Sequence, residues 1–403
     1  MDEAGAERWI CDRLRDAADA RTDAAAALHG PRALDAVVAA ARRHRIHLVL
    51  AAACGAARSD RAIREALADD VRRAVLQDAL REAECRRLAA ACAGAGIPLL
   101  IFKGAALAWS VYEPAWTRPF VDVDVLVPEE GVARLRTMLE AIGYRQAAQV
   151  DGPLVTRQAA FVRRGAAGYR HQVDVHWRLF NPEMVGAVFT CEELLARAEP
   201  VPVLGPAARR PCDADALVIA AVHRAAHHND ADELIWIRDA DRLARRLPAD
   251  AWRAVASTAR DRRVGVLCAA ALSRAVACFG TPVPPDVLRV LEADRSERSA
   301  MFLGGTLGEL DIQLTNFAHL RWRDRPAFVA QHLFPAPAYM RRAYGATTVP
   351  GVAWSYAARL AAGLPRWLRQ RAALRAQRPT NPAPAAAATR ADSSAAAPPP
   401  PSA

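Results

Sequence analysis

Most of this chain repeats its apolar residues at three- and four-residue steps, and one short segment does not. Val121-Asp-Val-Asp-Val-Leu-Val127 begins with strict alternation. A period of two belongs to a β-strand, and it places the Asp122 and Asp124 side chains on one face, about 6–7 Å apart along the backbone. Upstream, Gly94-Ala-Gly-Ile-Pro98 interrupts the helical pattern and Leu99-Leu-Ile-Phe102 reads as a short buried strand. Lys103-Gly104 ends that strand, and Ala105 to Val111 reads as a helix. Glu129 to Ile142 reads as another helix, stopped by Gly143. Segments 155–164 and 169–178 read as two strands joined through the turn Gly165-Ala-Ala-Gly168.

The rest of the sequence is helical in period. Residues 1–94 form an expected helical N-terminal region and 95–205 the strand-bearing core. Residues 206–375 form a helical region punctuated by Pro248 and by Pro282, Pro284 and Pro285. Residues 376–403, mostly Pro, Ala, Ser and Thr, read as a disordered tail. The expected fold class is therefore α+β: a small mixed β-sheet flanked by helical N-terminal and C-terminal regions.

Composition narrows the class further. At 52% hydrophobic residues the chain buries ample apolar surface, which excludes wholesale disorder. No apolar run is long and charge-free enough to span a bilayer. The N-terminus is acidic and polar, without the pattern of a signal peptide. The eight cysteines form no CxxC pair and suit no zinc motif, so they read as reduced, mostly buried residues of a cytoplasmic protein. Net charge is +10, which permits an anionic partner; nucleic acid is possible but not favoured over a small-molecule substrate. Of 54 basic residues only Lys103 is lysine. In a chain that uses Arg almost everywhere else, that lysine reads either as a position where a compact ammonium is needed or as a chance survivor of the bias.

Paired carboxylates repel, and a divalent cation relieves the repulsion. Mg²⁺ is held by one or two carboxylates together with substrate phosphates, and two ions can clamp both oxygens of a phosphoryl displacement. The competing reading of Asp122 and Asp124 is a solvated strand face. Asp174, in His171-Gln-Val-Asp-Val-His-Trp177, supplies a third carboxylate from a later strand, with His176 on the same face. It can also take a proton from an acceptor hydroxyl. Lys103-Gly104 before a helix suits a phosphate, because Gly permits close backbone approach and a helix N-terminus favours anions. Arg118 pairs either with a phosphate or with an acidic side chain. His223 and His227, four apart on a helix, form with Asp239 either a metal site or a set of interhelical hydrogen bonds. Arg359 to Arg378, with Trp367 and Leu368, reads as an amphipathic basic helix. It either touches an anionic surface or presents a solvated face.

Taken in order, Leu100-Ile-Phe-Lys-Gly-Ala-Ala-Leu107, Tyr112, Arg118, Asp122-Val-Asp-Val-Leu-Val127 and Asp174-Val-His-Trp177 resemble the uncharacterised nucleotidyltransferase family of the polymerase-beta-like superfamily. His223, His227, Trp236 and Asp239 fit the same pattern, as do Leu333-Phe-Pro335 and Arg341-Arg-Ala-Tyr344. The resemblance spans about 95–345. It implies transfer of a nucleoside monophosphate from an NTP to an acceptor hydroxyl by a two-metal mechanism using Mg²⁺ or Mn²⁺. Asp122, Asp124 and Asp174 would be the catalytic and metal-binding residues. Lys103, Gly104, Ala105 and Arg118 would bind the nucleotide. The superfamily turn usually reads Gly-Gly or Gly-Ser, where this chain has Gly104-Ala105. Two other expectations follow: a catalytically degenerate module that binds a nucleotide or a protein, and a metal phosphohydrolase centred on His223, His227 and Asp239.

Overall fold

The computed structural model describes residues 1–376 apart from 19–27, 29, 56, 148–151, 153, 166, 167 and 295. The expected disordered tail lies, beyond residue 376, outside the described residues. Among the described residues, five helices open the chain: α1 (Glu3–Ala18), α2 (Pro31–Arg43), α3 (His47–Ala53), α4 (Arg58–Ala66) and the long α5 (Ala68–Gly94). The strand-bearing part holds β1 (Leu99–Phe102), α6 (Lys103–Ser110), β2 (Val123–Leu126), α7 (Val132–Ala141), β3 (Arg145–Gln146), β4 (Gln158–Arg164) and β5 (Arg170–His176). It continues through α8 (Glu183–Gly186), α9 (Cys191–Ala196), β6 (Glu199–Pro200) and β7 (Ala208–Arg210). The remaining helices are α10 (Asp213–His227), α11 (Leu234–Ala244), α12 (Ala251–Asp261), α13 (Gly265–Phe279), α14 (Pro285–Leu291), α15 (Glu309–His319), α16 (Arg325–Leu333), α17 (Pro337–Tyr344) and α18 (Val349–Ala376). No helix is long and apolar enough to cross a membrane, among the described residues.

The strands form one seven-stranded sheet in the order β3-β4-β5-β2-β1-β7-β6. β1 runs parallel to β7 and β2 parallel to β5, and the other neighbours are antiparallel. This is the expected α+β architecture with a mixed sheet. β6, β7 and β3 were not legible, since strands of two or three residues are too short to display a period. β7 carries the sheet to Arg210, past residue 205.

Alternation assigns each strand residue to one of two cores. Leu99 and Ile101 of β1 join Val123 and Val125 of β2 in a core with α5, α6 and α7. Leu100, Phe102 and Leu126 point the other way, into a core built by α1, α2, α3, α10, α11 and α13. Because β1 is covered on both faces, it reads as an unbroken apolar run. Asp124 shares the face of Leu126, so its carboxylate is turned toward the large helical core.

Strand boundaries differ from expectation: β4 begins at Gln158 rather than 155, β5 ends at His176 rather than 178, and the start of β2 bears on the site. The ladder of β2 begins at Val123, and Asp122 lies in the bend before it. Phe102 pairs with Asp124, and at Lys103 the neighbouring chain turns into α6. Residues upstream of Val123 therefore lose their partner on that side. α6 also begins two residues earlier than expected, at Lys103.

Candidate active site

The end of β1 places the first functional side chain. Lys103 adopts φ +56, a left-handed conformation, as the strand gives way to α6. Its ammonium donates to Asp124 Oδ1 at 2.8 Å, and both side chains are largely buried. Gly104 follows for a steric reason. A Cβ there would stand 3.2 Å from the Phe120 Cβ, tighter than side chains ordinarily pack, and 3.4 Å from Arg118 Nη1, so a larger residue would require Phe120 to shift by a few tenths of an ångström.

Parallel pairing of β2 with β5 sets Asp124 directly beside Asp174 and Leu126 beside His176. His176 Nε2 lies 2.8 Å from the same Asp124 oxygen that accepts from Lys103. An ionised carboxylate only accepts, so this imidazole nitrogen carries the proton. Gln172 Nε2 donates to Asp174 Oδ1 at 2.9 Å. One ligand atom each from Asp124, Asp174 and His176 falls within 4.8 Å of the others. Asp122 lines the same cleft but stands outside this triplet.

The electrostatics divide these acids. Burial pushes Asp124 up, but the Lys103 ammonium and the His176 hydrogen bond outweigh it and hold the carboxyl well below the usual range. Asp122 is pushed up to about 7, first by burial and then by the charges of Asp124 and Asp174. Asp174 is also raised, by burial and by Asp124. His176 is lowered by burial and by Lys103, and stays neutral. One ammonium thus satisfies one carboxylate and leaves two others short of positive charge.

Helices α10 and α11 form the opposite wall. His223 and His227 stack at 5.4 Å, and His228 stacks on Trp236 at 3.9 Å. Burial, then Lys103, lowers His227 to about 3 and His228 to about 4, and takes His223 well below its ordinary value. All three are therefore uncharged near neutrality. Arg118 holds Asp239 through two bonds of 2.7 Å, one to each carboxylate oxygen, and the Tyr112 hydroxyl donates to Asp239 Oδ1 at 2.8 Å.

Several expectations change on this geometry. Arg118 lines the cleft, but its fork is occupied by Asp239, so it ties the strand-bearing part to α11 rather than standing free for a phosphate. For the same reason Asp239 does not complete a metal site with His223 and His227. Among the described residues the candidate metal clusters are Asp124-Asp174-His176 and Glu7-Cys11-Cys278. Ala105 is fully buried in the core shared by the sheet with α5, and it is not among the cleft-lining residues. His176, buried against Asp124, was noted only as the neighbour of Asp174 in period and was given no role of its own. Arg45, which reaches the cleft from the turn between α2 and α3 at φ +55, carries no signal that separates it from the other arginines.

The sequence from Pro31 to Gly280, which includes the residues named for this cleft, matches the model of a family described as uncharacterised nucleotidyltransferase. The chain belongs to that family. The match begins 64 residues earlier than the motif resemblance did, and so takes in the Arg45 turn. It ends before Leu333-Phe-Pro335 and Arg341-Arg-Ala-Tyr344. No curated protein and no solved structure matched the chain. Family membership supports nucleotidyl transfer in general terms and an NTP as substrate. The assignment of roles within the cleft rests on chemistry.

Proposed function

We propose that this nucleotidyltransferase moves a nucleoside monophosphate from an NTP to an acceptor hydroxyl in the cleft between β2, β5 and α10. The observation that carries the reading is the convergence of Asp122, Asp124 and Asp174 on one cleft, beside the single lysine at the amino end of α6. A divalent cation fits here. Asp122 and Asp174 are held toward protonation by burial and by neighbouring negative charge, the second of which a cation relieves, and carboxylate oxygen donors suit Mg²⁺ or Mn²⁺. Asp122, Asp124 and Asp174 would hold it, with His176 behind Asp124, and it would supply charge neutralisation to the triphosphate.

The chain's own groups account for the rest. Lys103 and the first backbone amides of α6 receive phosphate oxygens. Asp174 takes the proton of the acceptor hydroxyl. The acceptor oxygen then bonds to the α-phosphorus, the bond from that phosphorus to the bridging oxygen breaks, and pyrophosphate leaves. His228 stacked on Trp236 offers a flat, uncharged surface for a planar ring of the nucleotide or the acceptor. The reading of a degenerate site leaned on Ala105, and a side chain buried away from the cleft lends it no support.

The test is transfer of label from an NTP radiolabelled at the α-phosphate into a cell extract, with Mg²⁺ or Mn²⁺. Wild type is compared with the Asp122→Asn/Asp124→Asn double variant. Label that depends on wild type is expected, and the labelled species identifies the acceptor. Equal labelling by both proteins overturns the proposal.

A further inference from the structure

The net charge of the chain is confined to one end of it. Residues 325–391 contain ten arginines, no lysine and neither Asp nor Glu. The remaining 44 basic residues are matched by the 44 acidic ones, so this segment carries the whole +10. It begins with α16 and includes α17 and α18, all outside the family match.

The same segment exposes apolar surface. α18 packs inward through Val352 and Ser355, which are buried. Its exposed apolar residues include Val349, Ala353, Trp354, Ala357, Leu360 and Leu368, which fall within one side of the helix. Val349 is 74% exposed, Trp354 75%, Leu360 39% and Leu368 51%. A helix on a soluble surface ordinarily turns polar residues outward, and here apolar side chains are exposed on a helix whose segment is rich in arginine.

We propose that α18 and the arginines around it dock this protein on the surface of an anionic lipid bilayer. Tryptophan and aliphatic side chains enter the headgroup boundary, and arginines engage lipid phosphates. The aliphatic residues decide between anionic partners, since Val349, Leu360 and Leu368 cannot stack on bases as a nucleic-acid surface would require. No described helix is long and apolar enough to cross a membrane, so the contact is peripheral.

The full chain is sedimented with vesicles of phosphatidylcholine alone and of phosphatidylcholine with phosphatidylglycerol. Binding is expected only to the anionic vesicles and is expected to weaken as salt rises. Changing Arg366, Arg369, Arg371 and Arg375 together to Gln removes about fivefold in affinity per arginine. Trp354→Ser, at an exposed position, weakens binding roughly tenfold with an unchanged thermal midpoint. Equal binding to both vesicle types overturns the proposal, and so does anionic binding that neither variant weakens. Salt-sensitive RNA binding without vesicle binding overturns it in favour of a nucleic-acid surface. A wild-type dimer that Trp354→Ser converts to monomer, again without vesicle binding, overturns it in favour of self-association.

Discussion

Glu84, on α5, and Asp122, at the entry to β2, lie against the same sheet, and their carboxylates meet opposite surroundings. Glu84 accepts from Arg163 through both of its oxygens, from Arg87 at 2.7 and 3.1 Å, and from the Tyr144 hydroxyl at 2.7 Å. Burial alone would push it up, but those donors hold it well below the usual carboxylate range. Asp122 meets two further carboxylates and is pushed up to about 7. The first arrangement lowers the energy of the fold. The second raises it, and such unbalanced groups in a cleft are where chemistry is expected. Within one sheet, then, one end is built for stability and the other keeps unsatisfied charge for a ligand.

The largest effects separate the two ends by activity. Asp122→Asn is expected to lower nucleotidyl transfer by about a thousandfold or more. In chelator its thermal midpoint stays the same or rises, because one of several repelling charges is gone. Glu84→Gln should do the reverse. Transfer per folded molecule is retained, while stability falls by about 2 kcal/mol as Arg163 and Arg87 lose their counter-charge. Retained transfer in Asp122→Asn breaks the comparison at the cleft, and an unchanged urea midpoint in Glu84→Gln breaks it at the other end.

Arg118 extends the contrast to the junction with α11. Arg118→Ala leaves the Asp239 carboxylate buried with the Tyr112 hydroxyl but without its guanidinium, at a cost of about 3 kcal/mol in denaturant unfolding. Arg118→Lys keeps the charge but loses the two-pronged geometry, so its cost should lie between wild type and alanine. If Arg118→Ala unfolds like wild type, the pair is not a clamp.

The two ends should also respond to pH with opposite signs. Asp122 holds its proton more tightly folded than unfolded, so its contribution is full below its ordinary value of 3.8 and is lost as pH rises toward 7. Glu84 holds its proton less tightly folded than unfolded. Its contribution is full above its ordinary value of 4.5 and is lost as pH falls below it. In chelator, Asp122→Asn should flatten the fall in stability between about pH 4 and 7 by about 1–2 kcal/mol, while Glu84→Gln flatten the fall on the acid side. A wild-type profile flat between pH 4 and 7 in chelator would mean that Asp122 is solvated.

Much of this contrast was legible in the sequence, and the reason differs by residue. Asp124 and Asp174 were placed because period two fixes which face a strand residue takes, whatever lies around it. The lone lysine stood out against 53 arginines. Arg118 and Asp239 were each noticed but not joined, since 121 residues separate them and no local pattern reports a contact across that span. Glu84 was invisible for the same reason: its partners lie on α5, β4 and the approach to β3. Arg45 was hidden by composition, and β6 and β7 by brevity. What could be read was local and periodic, and what could not depended on how distant helices close over the sheet.

Ala105 offers the smallest effect and the finest test of that distinction. The superfamily turn that this chain resembles usually has Gly or Ser at this position, so the sequence alone counts alanine as a lost contact to phosphate. The fold instead buries the Ala105 methyl, with no exposure, in the apolar core that also holds Ile101 and Val125. A hydroxyl there would face apolar groups, while the α6 amides that meet the cleft belong to the backbone and remain. Ala105→Ser is therefore expected to leave transfer within about threefold of wild type and to cost about 1 kcal/mol of stability. A large gain in transfer would show that the side chain at 105 reaches the nucleotide after all, and would return the alanine to the list of defects in the site.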